Sequence, residues 1–158
     1  MRTQRARDWT LGLVVLFCAT IACGARGPVA PAPLATITLT DTACVADGLG
    51  ALIPAHFVAT LVNNTSYEAR YTLQRMNDGH AYQELELHIA EQQRRFLAET
   101  AQLNPPTFTS IATGTVVSSM QTGHFDENLS SGTYGLVCRG VKTPDRWTAY
   151  VVGPLRVP

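Results

Sequence analysis

The chain has 158 residues, twelve Lys and Arg against twelve Asp and Glu, and is 46% hydrophobic. That length suits one domain with a real core. Balanced charge without a basic stripe excludes nucleic acid as the expected partner.

The chain begins MRTQRARDWTLGLVVLFCATIACGARGPVAPAP. Arg2, Arg5 and Arg7 form a positive n-region, and Leu11 to Ala22 is an apolar run too short for an ordinary transmembrane helix. Residues 1–22 therefore read as a secretory signal peptide. The run ends Thr-Ile-Ala-Cys, which resembles the bacterial lipobox. Cleavage before Cys23 would leave a diacylglyceryl-cysteine as a membrane anchor on the extracytoplasmic face. Thr20 stands where that pattern prefers Leu, Val or Ile, so the other reading is cleavage after Ala22 or Ala25 and plain secretion. Residues 23–33 are a Pro/Ala-rich tether that cannot pack and holds the following domain off the membrane. Without the leader the chain keeps nine basic and eleven acidic residues, a net charge of −2.

Cys18 leaves with the leader and Cys23 is the lipid site, so Cys44 and Cys138 remain in the folded part. In an oxidising compartment two remaining cysteines pair by default. The loop they close spans most of the domain, worth roughly 4–5 kcal/mol on the chain-entropy model.

The domain runs from 34 to 158. ATITLTD places Ile37 and Leu39 on one face of a strand leading to Cys44. HFVATLVNN, His56 to Asn64, is apolar on both faces, as a strand buried between layers would be, and ends in a turn-forming Asn pair. EARYTLQRM, Glu68 to Met76, points Tyr71 and Leu73 one way. Further strands are predicted at 113–120, 123–129, 133–140 and 147–157, each bounded by Gly, Pro, Ser or Asn. About seven short strands separated by turn signals predict a mainly β sandwich.

One helix interrupts them, predicted over about 79–103. Asp78 can cap it and Pro105-Pro106 end it. Tyr82, Leu85, Ile89, Phe96 and Leu103 fall at helical spacing, a stripe that must cover one end or one face of the sandwich.

VATLVNN, then YTLQRMNDG, a helix, LSSGTYGLVC and a closing VVGPLRV resemble the cupredoxin-like domains of bacterial extracellular and membrane-anchored proteins. The resemblance spans nearly all of residues 36–157. It implies a cupredoxin-like Greek-key β-sandwich with an inserted helix after an Asn-ended strand and an Arg-Met-Asn-Asp-Gly exit. The turn before the cysteine strand reads Ser131-Gly132-Thr133-Tyr134, with Ser where the family has Pro. A blue-copper site takes two His, a Cys thiolate and often an axial Met. TSYEARYTLQ holds no His, and neither His nor Met follows Cys138. The resemblance thus implies the fold and speaks against its best-known metal chemistry.

Other constellations are weaker. His80, Glu84 and His88 recur every four residues on the predicted helix, either a metal column or a solvated face. Met76 and Met120 with His124 suit a soft copper site or ordinary core filling. His56 at a strand start reads as structural. No Gly-x-Ser-x-Gly elbow, zinc-protease helix or Gly-rich phosphate loop is present. Trp147 either caps the sandwich core or joins Tyr150 in a contact surface.

Three functions follow in order. The first is a non-catalytic binding or accessory module without cofactor, held at the membrane through Cys23 and meeting an unknown protein or small ligand. The second is an extracytoplasmic copper or iron handling accessory. An enzyme ranks last.

Overall fold

The computed structural model describes residues 34–97, 106–143 and 146–158. Residues 1–33, with the signal peptide, Cys23 and the tether, lie outside the described residues.

Alternation of apolar residues with threonine makes β1 (Ala35–Leu39), in which Ala35, Ile37 and Leu39 are buried. Thr40 then turns the chain. Its N–H donates to the Ala43 carbonyl at 2.8 Å, and its hydroxyl accepts from the Ala43 N–H at 3.1 Å. The return is β2 (Cys44–Asp47), too short and too exposed to show an apolar alternation. β3 (His56–Asn63) runs parallel to β1, and β6 (Thr122–Asn128) pairs antiparallel with β3. The first sheet therefore has the order β2-β1-β3-β6. The second is built from β4 (Glu68–Met76), β5 (Thr109–Val117), β7 (Gly132–Thr143) and β8 (Arg146–Val157), in the order β5-β4-β7-β8.

The two sheets face each other as a mainly β Greek-key sandwich, the architecture that the sequence implied. Phe57, Leu61, Tyr71, Leu73, Phe125 and Leu136 are among the side chains that fill the space between them. Each such burial contributes about 1.5–3 kcal/mol. β3 does not lie between two covering layers, as its apolar composition had suggested. Phe57, Ala59 and Leu61 are buried, whereas Val58, Thr60 and Val62 are half-buried on the outer face.

Asn63 explains why β3 ends where it does. Fully buried, its Nδ2 donates to the carbonyls of Tyr67, Val117 and Ser118 at 2.7, 3.0 and 3.0 Å. Its Oδ1 accepts from the Thr65 N–H at 3.0 Å and the Thr65 hydroxyl at 2.6 Å. One amide thus satisfies the backbone of the corner that carries the chain from the first sheet to the second. At the other end, Arg75 Nη2 donates to the Ser131 carbonyl at 3.1 Å, and the Tyr134 hydroxyl donates to the Ser130 carbonyl at 2.7 Å. These bonds fix the turn that launches the cysteine strand.

The helix, α1 (Tyr82–Leu97), is shorter than predicted. Gly79, at φ +85°, turns the chain in the left-handed region, so helical backbone starts only after Ala81. Glu84, not Asp78, serves the first turn, its Oε1 accepting from the Ala81 N–H at 2.8 Å. Residues 98–103, with Leu103, lie outside the described residues. Tyr82 and Leu85 are buried and Ile89 is half-buried, as the stripe required. The stripe lies on the outer face of the second sheet, against β7 and β8, where Leu85 joins Met76, Val137, Trp147 and Ala149 in a second core. Gly135 makes the close approach possible, since a Cβ there would stand 2.5 Å from Leu85 Cδ2 and 3.1 Å from Tyr82 Cε2.

Candidate functional site

Cys44 begins β2 at the edge of the first sheet, and Cys138 lies mid-strand in β7 of the second. Their sulfurs are bonded at 2.06 Å with 6.2 Å between Cα atoms. Stacked sheets stand about 10 Å apart, so the bond lies where the two layers converge. Cys138 is fully buried beside Tyr71 and Leu136 in the inter-sheet core. Its sulfur is committed to a covalent cross-link between the layers, and a thiolate copper ligand is not offered there.

The other metal candidates are scattered. His80 Nδ1 lies 2.9 Å from Glu84 Oε2. Glu84 is held below the usual carboxylate range, first by the Ala81 N–H and then by His80. His88, two turns on from His80, meets the Phe108 ring edge-on at 5.8 Å, while His80 contacts the same ring at 5.5 Å. Met76 is buried under α1, beside the start of β5. Met120 is 67% exposed just beyond the end of that strand, and His124 is exposed on β6 of the other sheet. A nine-residue strand separates the two methionines, so they do not share a site. Among the described residues, no three His, Cys, Asp or Glu side chains converge as metal ligands would. His56 Nε2 stands 2.8 Å from Asp126 Oδ1 in an exposed pair.

A different site emerges beneath the helix. α1 covers only part of the outer face of the second sheet. Between it and β5 the sheet floors a cleft of about 270 Å³. Strand alternation puts Arg70, Thr72 and Gln74 of β4 on this face, and Val137 and Arg139 of β7 beside them. His88, Ile89 and Gln92 form the helix wall, and Trp147 and Ala149 the β8 wall. Trp147, 6% exposed, therefore packs under α1 on the outer face rather than capping the inter-sheet core or standing in an exposed patch.

Two features of this cleft are costly to the fold. Arg70 and Arg139 stand directly opposite each other in the antiparallel β4–β7 register. Like charges so placed repel. Arg70 Nε reaches Glu68 Oε1 at 3.6 Å, while Arg139, half-buried, has no ion pair among the described residues. Burial first, and the Arg70 charge second, disfavour the Arg139 guanidinium and lower its pKa. The second feature is Gln92. The residue is only 8% exposed, and among the described residues its Oε1 has no hydrogen-bond partner. Leaving such an acceptor unpaired costs about 1–3 kcal/mol.

Sequence reasoning passed over all three residues. Arg70 and Arg139 are charges in strands whose other face is apolar, the usual look of a solvated position. Only the strand register sets them side by side. Gln92 falls seven residues after Leu85, in phase with the buried stripe, and that phase was the available signal.

Comparison with protein-family profiles and with curated proteins finds no match. Among solved structures, the chain is similar to sodium-dithionite-reduced auracyanin from the photosynthetic bacterium Roseiflexus castenholzii, at 13% identity and a TM-score of 0.38, covering 78% of this chain and 94% of that one. It is also similar to auracyanin B, at 14% identity and a TM-score of 0.37, covering 82% of this chain and 93% of that one. The sandwich described above rests on its own strand order and not on these likenesses.

Proposed function

We propose that this protein is a membrane-anchored extracytoplasmic lipoprotein that acts as a non-catalytic binding module on a cupredoxin-like scaffold, with the cleft beside α1 as its working surface. The observation that carries the reading is a preformed cleft lined by Gln92, whose buried Oε1 has no partner among the described residues. A polar atom left unsatisfied by the fold is satisfied when something enters. The reading is supported by the commitment of the cleft's hydroxyls to the fold, Thr72 Oγ1 donating to the Val137 carbonyl at 3.5 Å and Thr109 Oγ1 to Gln74 Oε1 at 2.9 Å. The cupredoxin-like frame is supported by the Asn-ended β3, the helix following β4 and the Ser-Gly-Thr-Tyr launch of β7. The anchor is supported by the Arg-rich start, the apolar run before Cys23 and the tether behind it.

The anchor is tested by labelling bacteria that express the chain with radioactive palmitate. The wild type takes up label and fractionates with membranes, and Cys23→Ala loses both. A wild type that takes up no label refutes the lipoprotein. The cleft is tested by thermal-shift screening of the full chain against small molecules, repeated with Ala149→Phe to fill the cleft from its β8 wall. Shifts that survive the filled cleft place binding elsewhere and refute this surface.

A further inference from the structure

The chemistry of the cleft walls narrows what enters. We infer that the cleft binds a small organic monocarboxylate, its carboxylate held between Arg70 and Arg139, its apolar body over Val137 and Ile89, and a hydroxyl or N–H donor turned toward Gln92 Oε1. This rests on the reading of the cleft as a binding surface and adds the ligand class.

Three observations carry it. The first is the arginine pair. Two guanidinium groups on facing strands repel, the exposed Glu68 carboxylate at 3.6 Å from Arg70 offsets only part of that, and one intervening anion adds two charge-assisted interactions. Planar guanidinium forks match the two oxygens of a carboxylate. The second is the floor. Two residues along from the arginines, the register pairs Thr72 with Val137, and beyond it Gln74, whose Oε1 already accepts from the Thr109 hydroxyl at 2.9 Å. Past the charged end, the cleft therefore presents apolar surface and a spent amide acceptor, which suits hydrocarbon and not a second anion. The third is Gln92, whose open acceptor demands a donor that a bare hydrocarbon lacks. At about 270 Å³ the cleft lies just below the usual range of ligand sites, which excludes long-chain lipids. An inorganic phosphate would engage the arginines and leave the apolar floor and Gln92 unused.

The test is calorimetric titration of the full chain in detergent with isovalerate, benzoate, 3-phenylpropionate and 3-(4-hydroxyphenyl)propionate, each beside its primary amide, and with inorganic phosphate. At least one carboxylate should bind saturably and at least about tenfold tighter than its amide, a difference in keeping with a charge-assisted pair. Arg70→Gln and Arg139→Gln should each weaken that carboxylate about tenfold and leave its amide unchanged. Both variants should match or exceed the wild-type unfolding midpoint, because each removes the like-charge opposition. A residue held only for structure would lose stability instead. Amides that bind as tightly as carboxylates overturn the carboxylate inference while the binding module stands. Binding of phosphate alone overturns it as well. If no carboxylate, amide or phosphate binds, the inference and the small-ligand cleft fall together.

Discussion

Replacing both paired cysteines, Cys44→Ala with Cys138→Ala, tests how far the sandwich depends on its cross-link. The bond closes a loop of 94 positions. On the chain-entropy relation, a loop of that size restricts the unfolded chain by about 4.7 kcal/mol at room temperature. A single domain has only about 5–15 kcal/mol of net stability, so a third or more of the total is at stake. At roughly 4 °C per kcal/mol for a domain of this size, the midpoint of thermal unfolding should fall by close to 20 °C. Urea unfolding of the full chain, oxidised, reduced and doubly substituted, measures it directly. The reduced and substituted forms should also show a steeper denaturant dependence, because an unlinked unfolded chain exposes more surface. Native secondary structure should persist, since each sheet keeps its own hydrogen-bond ladders. A loss below about 1 kcal/mol, with the bond verified in the reference protein by mass spectrometry, would refute the entropic account.

Asn63→Ala should cost about 2–4 kcal/mol in urea unfolding, because the corner carbonyls lose their buried donor, and an unchanged midpoint would deny that role. Gly135→Val should lift α1 off the second sheet at a cost of about 1–3 kcal/mol, read as a red shift of Trp147 fluorescence; an unshifted spectrum speaks against the seat. Burial pushes the Tyr71 phenol up to about 12 from 10.0. A raised folded-state pKa stabilises fully below pH 10 and is lost as pH climbs toward 12, here at about 1.4 kcal/mol per pH unit. Tyr71→Phe should flatten that alkaline loss in urea midpoints compared on either side of pH 10, and an unaltered slope assigns it to other groups.

Much of the architecture was legible in the chain itself. Period-two alternation marked β1 and β4 because one face of each meets the inter-sheet core, and turn residues at their ends marked β7 and β8, which α1 covers on the other face. β2 escaped because four residues at an exposed edge need no apolar face. The helix was legible from the stripe of Tyr82, Leu85 and Ile89, but its start was misplaced. Asp78 has the right side chain for a cap, yet Gly79 turns the backbone away before it can act.

By itself the sequence determined the two layers, the inserted helix and the pairing of Cys44 with Cys138, because each follows from local periodicity or from elimination among four cysteines. It could not determine the cleft. Arg70, Gln92 and Arg139 lie far apart along the chain, and each looks ordinary among its neighbours. Only the β4–β7 register sets one guanidinium against the other, and only the seating of α1 on Gly135 brings Gln92 to the same cleft. Those are non-local consequences of packing, and the chemistry of the surface arises from them.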